Sequence, residues 1–418
     1  MRILWVKANK ILPVHSGGDL RSFNLLRELA AREEVIFFSY YDGAPDAAYE
    51  QELQKQLPGA ICVCTGKKQD SSVARGFDYV LKLADSAPYA VSRFAAGKVR
   101  ERLRKCLTED RPDVVVCDFL DAAVNFPEEL QAPAVLFQHN VESEIWRRHA
   151  ETSTNPARRQ IYKMEFGKML RYEQKMVKKF DHVIAVSEHD RSLMSAWTDS
   201  SRISVVPTGV DLSRFQGQDT PLSISASESN PVVMFVGAMD WPPNVDGVEY
   251  FCSEIWPGVR AKVPGAQFRV VGRNPERRIQ KLASDSITVT GSVPSVVEHL
   301  REAAVVIVPL RIGGGTRLKI YEAMAAGKAV VSTTIGAEGL DVHHGKDIWL
   351  ADDAAAFTDA VAGLLQDQKM RERFEQAAAA LAAQYDWSAV AGKFHQVLQA
   401  AISPAAVAEN VTQLATAG

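Results

Sequence analysis

Cysteine is scarce in this chain, and its placement argues against two kinds of site. The five cysteines among 418 residues are scattered, form no CxxC pair and have no histidine cluster beside them. Zinc sites and disulfide frameworks both depend on closely patterned cysteines. We therefore expect reduced thiols, with neither a structural metal nor a disulfide framework.

Long apolar runs and an excess of one charge are also absent. The opening MRILWVKANKILPV alternates charged and apolar residues, unlike a signal peptide or a membrane-spanning helix. A net charge of −3 argues against a nucleic-acid partner. The composition, 46% hydrophobic and 24% charged, is typical of a soluble globular protein, so we expect a cytoplasmic location.

Positive charge is concentrated in two stretches of the first half. Arg93–Lys105 carries six basic residues against one acid, and Arg158–Lys179 carries eight against two. One interpretation is a pair of solvated helix faces. The other is a surface that contacts anionic lipid at the inner face of a membrane, at about 1 kcal/mol per near-surface charge.

Short apolar runs alternate with longer helical patterns from one end to the other, which is typical of βαβ units and parallel sheets. The chain is long enough for two hydrophobic cores. We therefore predict an α/β protein with two doubly wound, Rossmann-like domains. The predicted strands are Arg2–Lys7, Glu34–Tyr41, Ala60–Thr65, Asp113–Asp118, Ala134–His139, His182–Ser187, Val232–Gly237, Gln267–Gly272, Ile287–Gly291, Ala304–Leu310 and Ala329–Thr334.

The domain boundaries follow from composition. Residues 1–212 form the first domain, and a polar, Ser-rich segment at 213–230 reads as a linker. Residues 231–385 form the second domain, 386–403 a final helix and 404–418 a frayed tail.

Ligands of open parallel sheets bind beyond the carboxyl ends of the strands, so the residues that follow each strand are the candidates. Gly17 and Gly18 come before a helix, where a phosphate or a sugar can approach backbone N–H groups, although a plain tight turn is the alternative. No acidic residue stands at the spacing of a nicotinamide-dinucleotide site. His139, with Glu142 three residues on, either lines a site or is structural.

Two glycines in the second half follow strands in the same way. Gly237 permits a close turn, where a diphosphate is expected to bind, ahead of a helix that Asn244 or Asp246 is expected to cap. Gly272 begins a loop that can hold a flat base against backbone groups. A structural loop is the alternative at both positions.

The segment IGGGTRLKIYEAMAAGKAVV joins a buried strand to a helix and concentrates glycines and cations. Exposed loop N–H groups, a helix dipole of roughly half a positive charge, and two cationic side chains together fit a diphosphate. The residues of this predicted diphosphate cradle are Gly313, Gly314, Gly315, Thr316, Arg317 and Lys319.

Glu322 lies three residues beyond Lys319, about 60° around the same helix. A surface ion pair between these two side chains is one interpretation. The small apolar residues that follow favour a helix packed under a sheet, where a carboxylate near the cationic end can accept the two hydroxyls of a ribose. Glu322 is therefore a candidate ribose ligand.

These motifs resemble glycosyltransferase family 4, retaining enzymes of the GT-B fold. The resemblance rests on EAMAAGKAVV, IGAEGL, VVPTGVDLSRF and FVGAMDWPPNVDG, and it extends over nearly the whole chain. It implies two Rossmann-like domains that face a central cleft, the first for an acceptor and the second for a nucleotide-sugar donor. It also implies a last helix that crosses back to the first domain.

The resemblance implies roles for individual residues. Glu322 matches the second glutamate of the family's E-x7-E element, whereas Gly314 stands where the first, sugar-binding glutamate is usual. Ala238 and Asn244 occupy the region of the usual diphosphate-binding Arg and Lys, and we expect Arg317 and Lys319 to replace that charge. The other positions implied are His139, Gly17 and Gly18 near the reacting centre, Glu338 and Gly339 at the donor sugar or phosphate, and Gly272, Arg273, Ser292 and Val293 in base-binding loops.

The function implied is metal-independent, retaining transfer of a sugar from a nucleotide-diphosphate sugar to a carbohydrate or lipid-linked acceptor. The nucleotide sugar is a co-substrate, and no cofactor is expected. PYAVSRF and QHNVESEIWRRH are similar to a branch associated with exopolysaccharide systems. Two alternatives remain, a nucleotide-sugar epimerase or hydrolase of the same architecture and a non-catalytic sugar-nucleotide-binding protein.

Overall fold

A computed structural model describes residues 1–14, 16–67, 78–79, 82, 85–153, 155–216, 230–312 and 318–403. The chain divides into two compact units. Unit 1 comprises Met1–Pro207 together with the chain from Val390 onward, and unit 2 comprises Thr208–Ala389. Each unit is built on a sheet of its own, as predicted for two Rossmann-like domains.

Unit 1 contains a seven-stranded parallel sheet in the order β3-β2-β1-β4-β5-β6-β7. Its central strands are almost wholly buried, because helices cover both faces of a parallel sheet. The strands are β1 (Arg2–Ala8), β2 (Glu34–Tyr41), β3 (Ile61–Cys64), β4 (Val114–Asp118), β5 (Ala134–Phe137), β6 (His182–Ala185) and β7 (Ile203–Val205).

The helices of unit 1 follow its strands in alternation. Four start at side-chain caps, with Ser16, Asp46, Asn155 and Ser187 accepting from N–H groups of the first turn. The helices are α1 (Gly17–Ala30), α2 (Ala47–Gln56), α3 (Tyr89–Ser92), α4 (Gly97–Lys105), α5 (Glu142–Thr152), α6 (Pro156–Lys179) and α7 (Glu188–Met194). Shorter turns lie at Cys106–Asp110, Leu120–Asn125 and Ser200–Arg202.

Unit 2 contains a six-stranded parallel sheet in the order β10-β9-β8-β11-β12-β13. Every residue of its central strand, Ala303–Val308, is buried, as a run of alanine, valine and isoleucine predicts. The strands are β8 (Val232–Val236), β9 (Gln267–Val271), β10 (Ile287–Val289), β11 (Ala303–Val308), β12 (Ala329–Ser332) and β13 (Trp349–Leu350).

The helices of unit 2 pack on this sheet around one hydrophobic core. They are α8 (Ser213–Gln216), α9 (Pro242–Tyr250), α10 (Trp256–Lys262), α11 (Arg277–Gln280), α12 (Val296–Glu302), α13 (Leu318–Ala325), α14 (Ala354–Gln366) and α15 (Gln368–Ala382), with turns at Phe251–Ile255 and Ala383–Tyr385.

The last helix, α16 (Trp387–Ile402), completes the core of unit 1. Phe394 is fully buried, stacks on Trp5 with ring centroids 5.3 Å apart and meets Phe137 edge-on at 5.1 Å. His395 pairs with Glu33 at 2.5 Å, and Glu33 also binds the N-terminal ammonium group. Aromatic contacts and a His395–Glu33 hydrogen bond therefore anchor α16 to unit 1.

Differences from the predicted elements include two short strands and the start of one helix. Strands β7 and β13, of three and two residues, are absent from the prediction because such short runs show no alternation. The helix predicted after Gly237 begins at Pro242, ahead of its two expected caps, since proline is well suited to a first helical turn. Asn244 and Asp246 therefore lie inside α9, and the expectation that one of them caps this helix was wrong.

Membrane spans are not found within the part of the chain that the structure describes: none of its helices is both long and apolar enough to cross a bilayer.

Replacing Phe394 by Ala is expected to lower the free energy of unfolding of unit 1 by about 3–5 kcal/mol, since the change removes a buried ring and leaves a cavity. Urea denaturation followed by tryptophan fluorescence measures the effect. Gln396→Ala, at an exposed position on the same helix, is the control and should change stability by less than about 0.5 kcal/mol. Equal stability of the two variants would contradict this account of α16.

Candidate functional site

The first candidate site lies at the carboxyl edge of the sheet of unit 2, where the loops after β8, β9 and β10 are tied together. The N–H of Met239 donates to the carbonyl of Arg273 at 2.8 Å, and that of Gly272 to Gly291 at 3.3 Å. A Cβ on Gly272 would lie 1.7 Å from the carbonyl oxygen of Gly237, so only glycine permits this approach. Gly272 thus shapes the loop in which the sequence places a base.

Lys319 extends from α13 to the loop that follows β8. Its Nζ donates to Asn244 Oδ1 at 2.7 Å and lies 4.4 Å from the centroid of the Phe235 ring. A Cβ on Gly237 would be 2.8 Å from this Nζ. The ammonium group therefore occupies the very loop in which the usual Arg and Lys of the resembled family are missing.

Asn244 and Asp246 act as side-chain anchors within α9. Besides binding Lys319, Asn244 donates from Nδ2 to the carbonyl of Ala238 at 2.9 Å. Asp246 holds Arg311 through two bonds of 2.6 and 3.1 Å. These contacts connect the loop after β8 to the segment that follows β11.

Glu322 is half-buried on α13, and its carboxylate faces Arg214 rather than Lys319. Arg214 Nη1 lies 3.7 Å from Glu322 Oε1. Burial raises the pKa of the Glu322 carboxyl, while Arg214 and Lys319 oppose that rise. The interpretation of Lys319 and Glu322 as a surface ion pair is not favoured, because the Lys319 ammonium is bonded to Asn244.

The turn after β12 contains Glu338 and Gly339. Gly339 adopts a φ of 80°, a conformation that favours glycine, and the N–H of Glu338 donates to Ile335 at 3.3 Å. Thr334 is held by Asp352 through its N–H and its hydroxyl, both at 2.7 Å. Elsewhere on this edge Arg273 and Ser292 are exposed, and Val293 packs partly against the core.

The remaining residues of the predicted diphosphate cradle lie outside the described residues. They are Gly313, Gly314, Gly315, Thr316 and Arg317. Their role stays a prediction.

The second candidate site lies at the carboxyl edge of the sheet of unit 1, around His139. The imidazole is 3% exposed, with Nε2 2.7 Å from Asp118 Oδ1 and Nδ1 2.9 Å from Arg21 Nη1. Because Arg21 can only donate, Nδ1 accepts and Nε2 carries the proton. Burial lowers the pKa of His139 to about 3, although Asp118 opposes the shift, so the ring is neutral.

Asp118 is the buried centre of this cluster. It accepts from His139 and from Trp5 Nε1, the latter at 2.9 Å, and Lys7 Nζ lies 3.7 Å away. Burial alone would raise the pKa of the Asp118 carboxyl, but Lys7 and the bond from His139 outweigh it and bring the pKa to about 2. Asp118 was not predicted as a site residue, because in the sequence it is only the polar last residue of the strand DVVVCD.

Phe119 connects His139 to the glycine loop. It has a φ of 69°, rare for an aromatic residue, and its ring stacks on His139 with centroids 3.6 Å apart. A Cβ on Gly18 would lie 2.4 Å from Phe119 Cζ, so the start of α1 needs glycine there. The structure thus brings the predicted Gly18 and His139 together through a residue that the sequence did not single out.

Two carboxyl groups lie at the start of α5. Glu173 is buried and accepts from the N–H groups of Glu142 and Ser143, at 2.8 and 3.1 Å, from the Ser143 hydroxyl and from Gln138. Glu142 itself is half-buried, and burial, with the nearby Asp121 and Glu173, raises its pKa to about 8. No local sequence pattern indicates this role of Glu173, because its partners are 30 to 35 residues away in the chain.

The described residues contain no cluster of metal ligands. No three His, Cys, Asp or Glu side chains of that part of the chain are arranged to hold a metal ion. Metal independence stays a prediction.

Two family models match successive parts of the chain. The model described as "Glycosyltransferase Family 4" matches residues 16–214, and the one described as "Glycosyl transferases group 1" matches residues 230–367. Together they extend over both units.

Curated relatives are similar at modest identity. A phosphatidyl-myo-inositol mannosyltransferase of Mycolicibacterium smegmatis is 28% identical over 223 residues, 52% of this chain and 56% of the relative. The chain thus spans a little over half the length of that relative. An uncharacterized 44.6 kDa protein in the cps region of Klebsiella pneumoniae is 23% identical over 374 residues, 85% of this chain and 89% of the relative.

Solved structures share the fold over nearly the whole chain. The Anabaena HepE protein in complex with UDP and glucose superposes with a TM-score of 0.65 at 15% identity, covering 96% of this chain and 100% of HepE. Sucrose-phosphate synthase of Thermosynechococcus elongatus gives 0.67 at 16% identity, covering 95% and 98%. At these identities the likeness concerns the fold.

Glu142 predicts a pH dependence of stability. Its raised pKa means that the folded protein keeps a proton that the unfolded chain loses between about pH 4.5 and 8, so this group's contribution to the free energy of unfolding falls as pH rises through that window. Glu142→Gln should remove this component, and melting temperatures of both proteins across the window measure it. Glu151→Gln, exposed on the same helix, should keep the wild-type profile; parallel profiles for wild type and Glu142→Gln would contradict the assignment.

Proposed function

The chain belongs to the group 1 and family 4 glycosyltransferases with the GT-B fold, and from that premise we propose that it transfers a sugar from a nucleotide-diphosphate sugar to a carbohydrate or lipid-linked acceptor. Unit 2 binds the donor, and unit 1 serves the acceptor. The anomeric configuration is retained and no metal takes part. The enzyme works on the cytoplasmic side of a membrane, in cell-surface polysaccharide or glycolipid assembly.

One observation carries this proposal: the Lys319 ammonium group lies beside Gly237, and Glu322 follows less than one turn later on α13. A diphosphate at the carboxyl end of β8 meets Lys319, and the attached ribose meets Glu322. This position of Lys319 supports the interpretation that α13, the helix after the neighbouring strand β11, supplies the cation that the family usually carries in the loop after β8. Arg317 is the second cation of this proposal.

The chemistry proposed is a front-face substitution at the anomeric carbon of the sugar. The bond from that carbon to the diphosphate oxygen breaks while the acceptor oxygen bonds on the same face, and the departing diphosphate takes the acceptor's proton. Lys319 and Arg317 stabilise the charge that develops on the diphosphate.

His139 is proposed to support this chemistry from unit 1. Because both of its ring nitrogens are engaged, a direct bond from His139 to a sugar hydroxyl requires the contact with Asp118 or Arg21 to break. In the geometry described here the ring fixes Arg21 and Phe119. Gly17 lets substrate approach the start of α1, whereas the Phe119 ring already fills the space beside Gly18.

Two lines of support favour a lipid-linked or polymeric acceptor. The name of the mycobacterial relative describes transfer to phosphatidyl-myo-inositol, and the Klebsiella relative belongs to a cps region. In addition, α4 presents exposed cations, among them Arg100, Arg104 and Lys105. We propose that this helix contacts anionic lipid.

Titration of UDP, GDP, ADP and dTDP by calorimetry tests donor binding and identifies the base. We expect one of them to bind wild type without added metal, and Lys319→Ala to weaken its affinity about ten- to hundred-fold, as for the loss of a charge-assisted bond. Arg317→Ala should act in the same direction. Lys346→Ala, at an exposed lysine of unit 2, is the control.

Turnover of the matching nucleotide sugar then separates the three candidate functions. Acceptor-dependent release of nucleotide supports transfer. Equal release without acceptor favours a hydrolase or epimerase, and binding without turnover under any condition favours the non-catalytic protein. Unchanged affinity in both cation variants would overturn the proposed diphosphate site.

Flotation with liposomes tests the membrane contact. Vesicles containing anionic lipid should carry wild type upward, and simultaneous replacement of Arg100, Arg102, Arg104 and Lys105 by Gln should abolish flotation, because each near-surface charge adds about 1 kcal/mol. As control, four exposed cations of unit 2, Lys262, Arg277, Arg278 and Lys281, are replaced in the same way. Equal flotation of both quadruple variants would contradict a specific role for α4.

A further inference from the structure

Arg214 is a charged residue that the proposed function leaves without a role. It stands in α8, within VVPTGVDLSRF, and its Nη1 lies 3.7 Å from Oε1 of Glu322. The Arg214 side chain is 50% exposed and that of Glu322 is 29% exposed. The guanidinium group therefore borders the carboxylate that the proposed function assigns to the ribose.

The backbone around Arg214 is anchored on both sides. Phe215 is 5% exposed and packs into the core of unit 2. On the other side, Asp211 Oδ1 accepts from the N–H and the hydroxyl of Ser213, at 3.1 and 2.5 Å. The short helix is thus fixed by its neighbours, and Arg214 projects from a supported position.

The geometry of the pair leaves Glu322 able to bind hydroxyls. A separation of 3.7 Å is an ion contact that is longer than a hydrogen bond, so it uses none of the carboxylate lone pairs. A carboxylate offers about four acceptor positions on its two oxygens. Glu322 can therefore accept both hydroxyls of a ribose while Arg214 remains beside it.

Two nearby cations favour the charged form of this carboxylate. Burial raises the pKa of Glu322, and the charges that oppose this are Arg214 and Lys319. The Lys319 ammonium group is hydrogen-bonded to Asn244. The helix α15 packs against α13 and also carries an arginine, Arg371, but this residue pairs with Glu375 at 3.8 Å. Arg214 is the cation that the described structure places directly on Glu322.

We propose that Arg214 is a positioning residue for donor binding, which holds the Glu322 carboxylate ionised and oriented toward the ribose hydroxyls. The inference rests on the proposed function, since it concerns the same nucleotide site. It assigns to the Arg of the GVDLSRF segment a task that is carried out through Glu322, without contact to the phosphates.

The test compares a nucleotide that has the ribose diol with one that lacks it. The probe is whichever of UDP, GDP and ADP binds wild type most tightly, together with its 2′,3′-dideoxy analogue. Arg214→Ala should weaken ribonucleotide binding about two- to five-fold near neutral pH, as for a partly exposed ion pair, and leave the dideoxy analogue unaffected. Arg214→Lys should restore most of the loss.

The pH profile gives a readout that a merely structural role would not move. As pH falls, Arg214→Ala should lose affinity for the ribonucleotide at a higher pH than wild type, because the carboxylate is then protonated sooner. In a Glu322→Gln background, Arg214→Ala should have no further effect. Arg278→Ala, at another exposed arginine of unit 2, is the control and should match wild type.

The outcomes separate this inference from the function on which it rests. If wild type binds none of UDP, GDP, ADP and dTDP, the proposed function fails, and the role of Arg214 fails with it. If it binds only dTDP, which lacks the diol, the role of Arg214 alone is overturned. If wild type binds but Arg214→Ala matches it at every pH, only the role of Arg214 is overturned. Equal losses for the ribose and dideoxy probes would likewise overturn it, since they indicate a general disturbance of unit 2.

Discussion

Parallel pairing of the strands is the constraint on which both candidate sites depend. Every strand pairing described in the two sheets is parallel, so all strands of a sheet end at the same edge. In unit 1, neighbouring strands β1, β4 and β5 bring Lys7, Asp118 and His139 together. In unit 2, the adjacency of β8 and β11 lets Lys319, on the helix after β11, reach Gly237. Residues far apart in the chain meet because their strands end together.

The carboxylates at the two sheet edges differ in burial and in the number of their partners. In unit 1 the Asp118 carboxylate is fully buried, and its bonds to Trp5 and His139 and its contact with Lys7 compensate for the lost hydration. In unit 2, Glu322 keeps part of its surface exposed and is paired only loosely. A buried carboxylate whose oxygens are already bonded serves a structural role, whereas a partly exposed carboxylate with unused lone pairs can bind a ligand. The Asp118 carboxylate of the first edge is therefore satisfied within the protein, whereas Glu322 of the second edge keeps acceptor positions for a ligand.

Several site residues could be chosen from the sequence, but their partners could not. Lys319 and Glu322 stand out because a glycine-rich strand exit followed by cations is a local pattern. Their spacing of three residues also allowed an ion pair between them, but in the folded chain the Lys319 ammonium group binds Asn244, 75 residues away. Glu173 and Trp5 show no local signal, since each acquires its role from a group more than 29 residues away.

The sequence by itself determined the class of fold, two α/β units with parallel sheets, and all eleven predicted strands begin and end within two residues of the observed positions. Apolar periodicity, glycine at strand exits and caps act between neighbouring residues, so they can be read along the chain. The tertiary structure alone decided that His139 is buried and neutral, that Lys319 binds Asn244, and that Glu322 faces Arg214. Electrostatic partners and burial depend on which distant segments pack together, and packing is a property of the whole unit rather than of any stretch within it.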